Sequence, residues 1–248
     1  MNIMCGDVLL VTGRSFKSTA LVSAQKAIYP KARSSHVELH LGDGTIVHST
    51  GTGGVHLTFL LDELKDIKDN WSVIRLKGLS DSERDEIMKS AIYFIKQSYN
   101  KRFFRENINQ SSFCSELIAK SFQKAGVKIL EGKKPSNVAP AHFDKAREKS
   151  MAWEDVTHEY EGLINKIKAD EWRYRFVFST IQGALDKRSV LSRMKTEVYK
   201  AMQNIAKDSD DSQFYELVEK VKAELKENRT LNFWYEEDTV PSVHPIKK

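Results

Sequence analysis

The chain has 248 residues, of which 40% are hydrophobic and 29% charged. That is enough apolar content for one sizeable core with a smaller second layer, and it excludes a disordered chain. No run of eighteen apolar residues occurs, and Met1-Asn-Ile-Met-Cys5 leads towards a strand without the basic and apolar regions of a leader, so neither a membrane span nor a conventional signal peptide is expected.

In chain order, Gly6-Asp-Val-Leu-Leu-Val11 reads as a first strand, with Cys5 a core strand residue beside it. Residues 15–29 carry a helical pattern that Pro30 closes. Residues 36–41 and 45–49 then alternate with the period of two that marks strands, and Gly42-Asp43-Gly44 between them is hairpin-turn chemistry. The turn length decides which face each histidine occupies. A two-residue loop, Asp43-Gly44, puts Leu39 opposite His48 and sends His36 and His48 to opposite faces. A three-residue loop, Gly42 to Gly44, pairs Glu38 with His48, places both histidines on one face and needs Gly44 left-handed; this longer loop is the expectation.

Beyond His48, residues 49–55 read as a flexible substrate-side loop carrying Gly51, Gly53 and Gly54; no Gly-Lys-Ser/Thr follows, so it is not a phosphate-binding P-loop. His40 and His56 read as surface or strand residues. Residues 71–76 form the next strand, and Ser80-Asp-Ser-Glu opens a capped helix that runs to about Tyr99. The link over residues 99–109, with Phe103 and Phe104, is read as packing.

Ser111-Ser-Phe-Cys-Ser-Glu-Leu then starts a buried helix with apolar Leu117, Ile118 and Phe122, Ser111 or Ser112 as its cap and Gly126 as its stop. Cys114 falls in the first turn, where unpaired N–H groups and the helix dipole favour a thiolate. Residues 127–130 read as a short strand. With only Cys5 and Cys114, the chain has no disulfide framework, which suggests a reducing compartment. The location expected is cytoplasmic, or exported without a conventional signal peptide.

From about residue 150 the composition turns helical, with Gly162 and Gly183 the only glycines and no proline before Pro241. Apolar residues mark helices around Leu163 to Ile167, Leu191 to Ile205 and Phe214 to Leu225, the last two divided at 208–212. The organisation expected is a catalytic domain over 1–150, an α-helical appendage over 151–232 and a tail of uncertain order over 233–248. Residues 1–150 carry 23 Lys/Arg against 16 Asp/Glu, and residues 151–248 carry 16 against 18. An anionic surface therefore stands open as a partner of the first part, and a protein partner as a use of the C-terminal helices. No nucleic-acid partner is expected, because the basic residues are scattered and no aromatic RNA signature occurs. No Cys/His metal spacing occurs, and no cofactor is expected.

The order His36, His48, Cys114 at a helix start resembles the circularly permuted NlpC-type papain-like enzymes, which include the YaeF/YiiX amidase-like and the lecithin:retinol acyltransferase families. Gly6–Val11 is similar to their first strand, Ser35-His36-Val37 to their histidine strand and Phe113-Cys114-Ser115-Glu116-Leu117 to their cysteine helix. The resemblance covers roughly residues 5–145. The spacing to His48 is like that of the acyltransferase branch, whereas many YiiX-like members carry an acidic residue there. It implies an α+β fold, a permuted papain-like domain with an antiparallel sheet packed on the cysteine helix, followed here by the helical region. It further implies a thiol amidase or acyl hydrolase acting on peptide-like or cell-wall amides, with acyl-lipid hydrolysis or transfer as the alternative and a binding protein with a vestigial site as a third. The chemistry of the three residues makes Cys114 the nucleophile, His36 its base and His48 the orienter of His36, with Glu38 a competing orienter on the same strand face.

Overall fold

In the computed structural model, which describes residues 5–102, 110–227 and 231–237, the chain divides into two compact units between Phe178 and Ser179. The first unit is α+β. It opens with β1 (Val8–Val11), wholly buried, followed by α1 (Phe16–Gln25), which Ser15 caps by accepting the Ser18 amide. Then come β2 (His36–Gly42), β3 (Thr45–Thr50), β4 (Gly54–Phe59), α2 (Leu60–Asp66) and β5 (Ser72–Leu76). A reciprocal cap between Ser80 and Glu83 starts α3 (Asp81–Tyr93). The short β6 (Ser98–Tyr99) and β7 (Ser111–Ser112) pair in parallel and lead into α4 (Cys114–Lys124); α5 (Pro140–Lys149), β8 (Trp153–Asp155) and α6 (Thr157–Ala169) complete the layer.

Six strands form one sheet in the order β4-β3-β2-β1-β5-β8, every neighbouring pair antiparallel. Strand alternation splits its core in two. Leu9, Val11, Ile46 and Val73 pack with Phe59 to Leu61 and with Tyr160, Leu163 and Ile167 of α6. Helix α4, whose Leu117, Ile118 and Phe122 are wholly buried, packs against β2 and β3.

The first unit extends past the boundary expected at residue 150, and a buried ion pair explains why. Arg75 Nε and Nη2 donate to the two carboxylate oxygens of Asp7 at 2.8 and 2.7 Å, and Tyr160 donates its hydroxyl to Asp7 Oδ2 at 3.0 Å. This clamp ties β1 and β5 to α6, and β8 closes the sheet edge against β5. Residues 151–169 therefore belong to the first unit and not to an appendage.

Other boundaries also move. The helix expected over 15–29 ends at Gln25, and the one expected to reach Tyr99 ends at Tyr93, which leaves Ile95 and Tyr99 outside it. Residues 127–130 form no strand; a 3-10 turn spans Leu130–Gly132. Cys5 lies in a half-buried turn before β1. Phe103 and Phe104 lie outside the described residues.

The long α7 (Glu171–Asp208) begins in the first unit and continues into the second, where α8 (Ser212–Glu227) and a single turn, α9 (Trp234–Glu237), follow. Asp210, left-handed at φ 52°, makes the break between α7 and α8. Ala206, Val218 and Phe233 are buried in this unit, and Arg188 donates to the Leu231 carbonyl with its guanidinium 4.9 Å from the Phe233 ring. Among the described residues, no helix is long and apolar enough to cross a membrane.

Removing Asp7 leaves Arg75 with Glu159, 3.1 Å away, as its remaining acid partner and takes the acceptor from the Tyr160 hydroxyl. Asp7→Ala is expected to destabilise the fold by about 3–5 kcal/mol, and Tyr160→Phe, which deletes one hydrogen bond to a charged group, by about 1.5–3 kcal/mol. Urea unfolding midpoints check the order; a larger loss in Tyr160→Phe would show that the clamp is not what holds α6.

Candidate functional site

The β2–β3 hairpin places the site, and it does so differently from the expectation. Gly42 pairs with Thr45, so the turn is the two-residue Asp43-Gly44, with both φ angles positive at 47° and 74° as a type I′ turn requires. Taken alone, that turn would have sent the histidines to opposite faces. The ladder, however, shifts between His40 and Gly42, and Leu41 is the extra residue of a β-bulge. Beyond it Leu39 pairs with Val47, which brings Glu38 opposite His48 with His36 on the same face. The bulge thus restores the pairing that the longer loop was expected to give.

The glycine run is a tight turn and not a flexible connection. Thr50 pairs with Gly54, and the β3–β4 ladder sets His48 opposite His56 and Ile46 opposite Thr58. Gly54 has φ +60°, and a Cβ there would stand 2.1 Å from the Gln97 carbonyl oxygen; one on Gly53 would stand 2.9 Å from the His56 ring. These two glycines let β4 and the His56 ring close in. Gly51 lies exposed in the turn.

His36, Glu38 and His48 come together. His36 Nε2 is 3.2 Å from His48 Nδ1, and Glu38 Oε1 is 3.0 Å from His48 Nδ1 and 3.6 Å from His36 Nε2. On the far side of the ring, His48 Nε2 lies 2.9 Å from Thr58 Oγ1 and 3.1 Å from His56 Nε2. His56 Nδ1 in turn lies 2.9 Å from the Gly54 carbonyl.

That carbonyl fixes the direction of the whole chain. A carbonyl only accepts, so His56 carries its proton on Nδ1 and offers a bare Nε2. His48 then donates from Nε2 and keeps a lone pair on Nδ1, which the His36 Nε2–H and the proton of the buried Glu38 carboxyl both approach. The remaining nitrogen, His36 Nδ1, is left as an acceptor and makes no hydrogen bond among the described residues. All three rings are held neutral, since burial lowers the pKa of His36 most, with His48 and His56 adding to it, and burial likewise lowers those of His48 and His56.

Cys114 sits at the first position of α4 and is buried. The cap expected from Ser111 or Ser112 comes from Glu116 instead, whose Oε2 accepts the Phe113 amide at 3.2 Å and the Asn100 side-chain amide at 3.0 Å. The two serines have another use. Lys120, paired with Glu116 at 2.9 Å, donates to the Ser111 carbonyl and the Ser112 hydroxyl, while Ser49 of β3 donates to the Ser112 carbonyl at 2.6 Å. The approach to Cys114 is thereby tied both to its own helix and to the histidine hairpin. On the other side, Asp144 accepts the Arg33 and Ser34 amides and the Ser34 hydroxyl, which fixes the entry to β2 just before His36.

The sulfur is hydrogen-bonded by the Val37 and Ser115 backbone amides, but burial outweighs them and pushes the thiol up to about 11. The helix start alone does not produce the thiolate that its position suggested. Burial raises the two carboxyls as well: Glu38, wholly buried, lies beside Glu63 of α2, and each is held above the usual carboxylate range.

His56, Thr58 and Glu63 are the members of the site that the sequence reading missed. Reading residues 49–55 as a tight hairpin would have set His48 opposite His56. His40, the other histidine set aside, is wholly buried and packs edge-on against Tyr160.

A family model described as permuted papain-like amidase enzyme, YaeF/YiiX, C92 family, matches residues 2–161. A crystal structure of metalloprotein yiiX from Escherichia coli O157:H7 is similar at 21% identity, covering 62% of this chain and 88% of that one with a TM-score of 0.41. Among curated proteins none matches.

The proton order of the three rings is directly observable. Nitrogen NMR of the histidine-labelled protein at neutral pH is expected to show His56 protonated at Nδ1, and His48 and His36 at Nε2. A protonated Nδ1 on His48 would break the sequence of donors.

Proposed function

Because the chain belongs to the permuted papain-like amidases of the YaeF/YiiX type, we propose that it is a cysteine-dependent amide hydrolase with Cys114 as nucleophile, His36 as its base and His48 as the residue that orients His36. The observation that supports this most is the one-way hydrogen-bond chain from the Gly54 carbonyl through His56 and His48, which leaves His36 Nδ1 bare to accept a proton.

At rest the pair is thiol and imidazole, since the thiol stands near 11 and the His36 ring is neutral. As the sulfur attacks the substrate carbonyl, its proton passes to His36 Nδ1, and the imidazolium is held through Nε2–H by the His48 lone pair. The oxyanion meets backbone N–H groups at the start of α4, a contribution of about 3–4 kcal/mol per donor in related acyl transfer. His36 returns the proton to the departing amine, which leaves an acyl-thioester on Cys114. It then takes a proton from the water that attacks the thioester carbonyl and gives it to the Cys114 sulfur as the C–S bond breaks, which releases the carboxylic acid and restores the thiol–imidazole pair. The buried Glu38 and the half-buried Glu63 set the field around His48. The tight turn at Gly51, Gly53 and Gly54 lies at the end of β3 and serves the substrate side.

Peptide-like or cell-wall amides are the substrate class. A second reading, lipid acyl hydrolysis or transfer, is favoured by the direct 3.2 Å contact of a histidine with the base, the third position that the acyltransferase-like resemblance assigns to His48. Mass spectrometry of the acyl group trapped on Cys114 separates the two: a peptidyl or aminoacyl adduct supports the first, and a fatty acyl adduct the second.

Cys114→Ala is expected to abolish turnover with the far-ultraviolet circular dichroism unchanged. At pH 7 a thiol near 11 is only about one part in ten thousand thiolate, so alkylation of Cys114 depends on His36. His36→Ala should label far more slowly than wild type at pH 7, with a rate that climbs about tenfold per pH unit up to pH 9. Equal labelling of the two proteins at pH 7 would remove His36 as the base.

A further inference from the structure

Three donor atoms converge in the histidine cluster, and hydrogen bonding alone does not satisfy them. His48 Nδ1 has a single bonding site, yet both Glu38 Oε1 at 3.0 Å and His36 Nε2 at 3.2 Å claim it. Glu38 Oε2, wholly buried, is reached by no amide, hydroxyl or amine donor, and the hydrogen-bond neighbour of the Glu38 carboxyl besides His48 is another carboxyl, Glu63. No lysine or arginine among the described residues forms an ion pair with either acid.

The triangle of His36 Nε2, Glu38 Oε1 and His48 Nδ1 has sides of 3.0, 3.2 and 3.6 Å. Ligands of a tetrahedral zinc ion, held at about 2.0–2.1 Å, stand about 3.3–3.4 Å apart. The triangle therefore has the size of one face of such a tetrahedron. We propose that His36, Glu38 and His48 form a site for a divalent cation of the zinc class, and that its occupancy switches the nucleophile off.

Two imidazole nitrogens and one carboxylate oxygen suit zinc better than the hard cations calcium or magnesium, which take oxygen ligands. The outer partners that a ligating histidine needs are in place, because His48 Nε2 already faces Thr58 Oγ1 and His56 Nε2. His36, 21% exposed, gives the ion its way in and leaves the fourth position to water.

The switch follows from the ring. A cation on His36 Nε2 takes that lone pair, so the neutral ring must carry its proton on Nδ1. Nδ1 is then a donor and cannot receive the Cys114 proton. This second half rests on the Cys114–His36 reading given above; the cation site itself does not.

Calorimetric titration of Zn2+ into metal-free wild type and Cys114→Ala tests the site without catalysis. The expected result is one ion per chain with the same affinity in both, at least tenfold weaker in Glu38→Gln and in His36→Gln. Co2+ in its place should give the visible bands of a tetrahedral ion without a thiolate charge-transfer band. No binding, binding lost in Cys114→Ala, or binding unchanged in whichever of Glu38→Gln and His36→Gln is folded by circular dichroism would overturn the site. For the switch, Zn2+ should slow alkylation of wild-type Cys114 and a chelator should restore it; labelling unaffected with zinc bound would overturn it. Metal-free labelling that ignores His36→Ala would instead sink the Cys–His reading and leave the cation site standing.

Discussion

One inserted residue, Leu41, governs the geometry of the candidate centre. A type I′ turn at Asp43-Gly44 fixes the strands in a register that, run straight back, sets Leu39 against His48 and turns the two histidines away from each other. The bulge shifts the ladder by one residue, and in a strand one residue exchanges the faces. Glu38, opposite His48, and His36 then share a face, and the β3–β4 hairpin adds His56 and Thr58.

Burial is the second constraint, and it acts on every ionisable group of the cluster in the same direction. Thiol and carboxyls are raised and imidazoles lowered, so each group is driven towards its neutral form. At Cys114 desolvation exceeds the pull of the Val37 amide of β2 and the Ser115 amide at the helix start. A neutral cluster has no standing charge to hold its order, and hydrogen-bond direction takes over that task. The direction originates at the Gly54 carbonyl, which is why the close approach of β4 to Gln97 matters to chemistry several residues away.

The sequence made much of this legible and hid the rest for identifiable reasons. Alternation disclosed the hairpin, helical spacing of Leu117, Ile118 and Phe122 disclosed the cysteine helix, and residue order pointed to the permuted family. The face shared by His36 and His48 was read correctly, but through a turn one residue too long, because nothing local to Leu41 marks a bulge. His56 was passed over because a run of glycines looks like slack chain, whereas here glycine is the residue that lets two backbones touch. The clamp from Asp7 to Arg75 and Tyr160 spans sequence separations that no local pattern exposes, so the first unit was ended too early.

The protonated resting state of Cys114 bears on chemical durability. Peroxides oxidise the thiolate and not the thiol, so a sulfur that burial keeps protonated offers them almost no target. Under the mechanism proposed above, the centre forgoes a standing nucleophile, and in exchange its one sulfur stays off the sulfenic-to-sulfonic ladder between turnovers. Cys5, half-buried and pushed up to about 12 by the same desolvation, is screened alike and supplies no competing reactive sulfur.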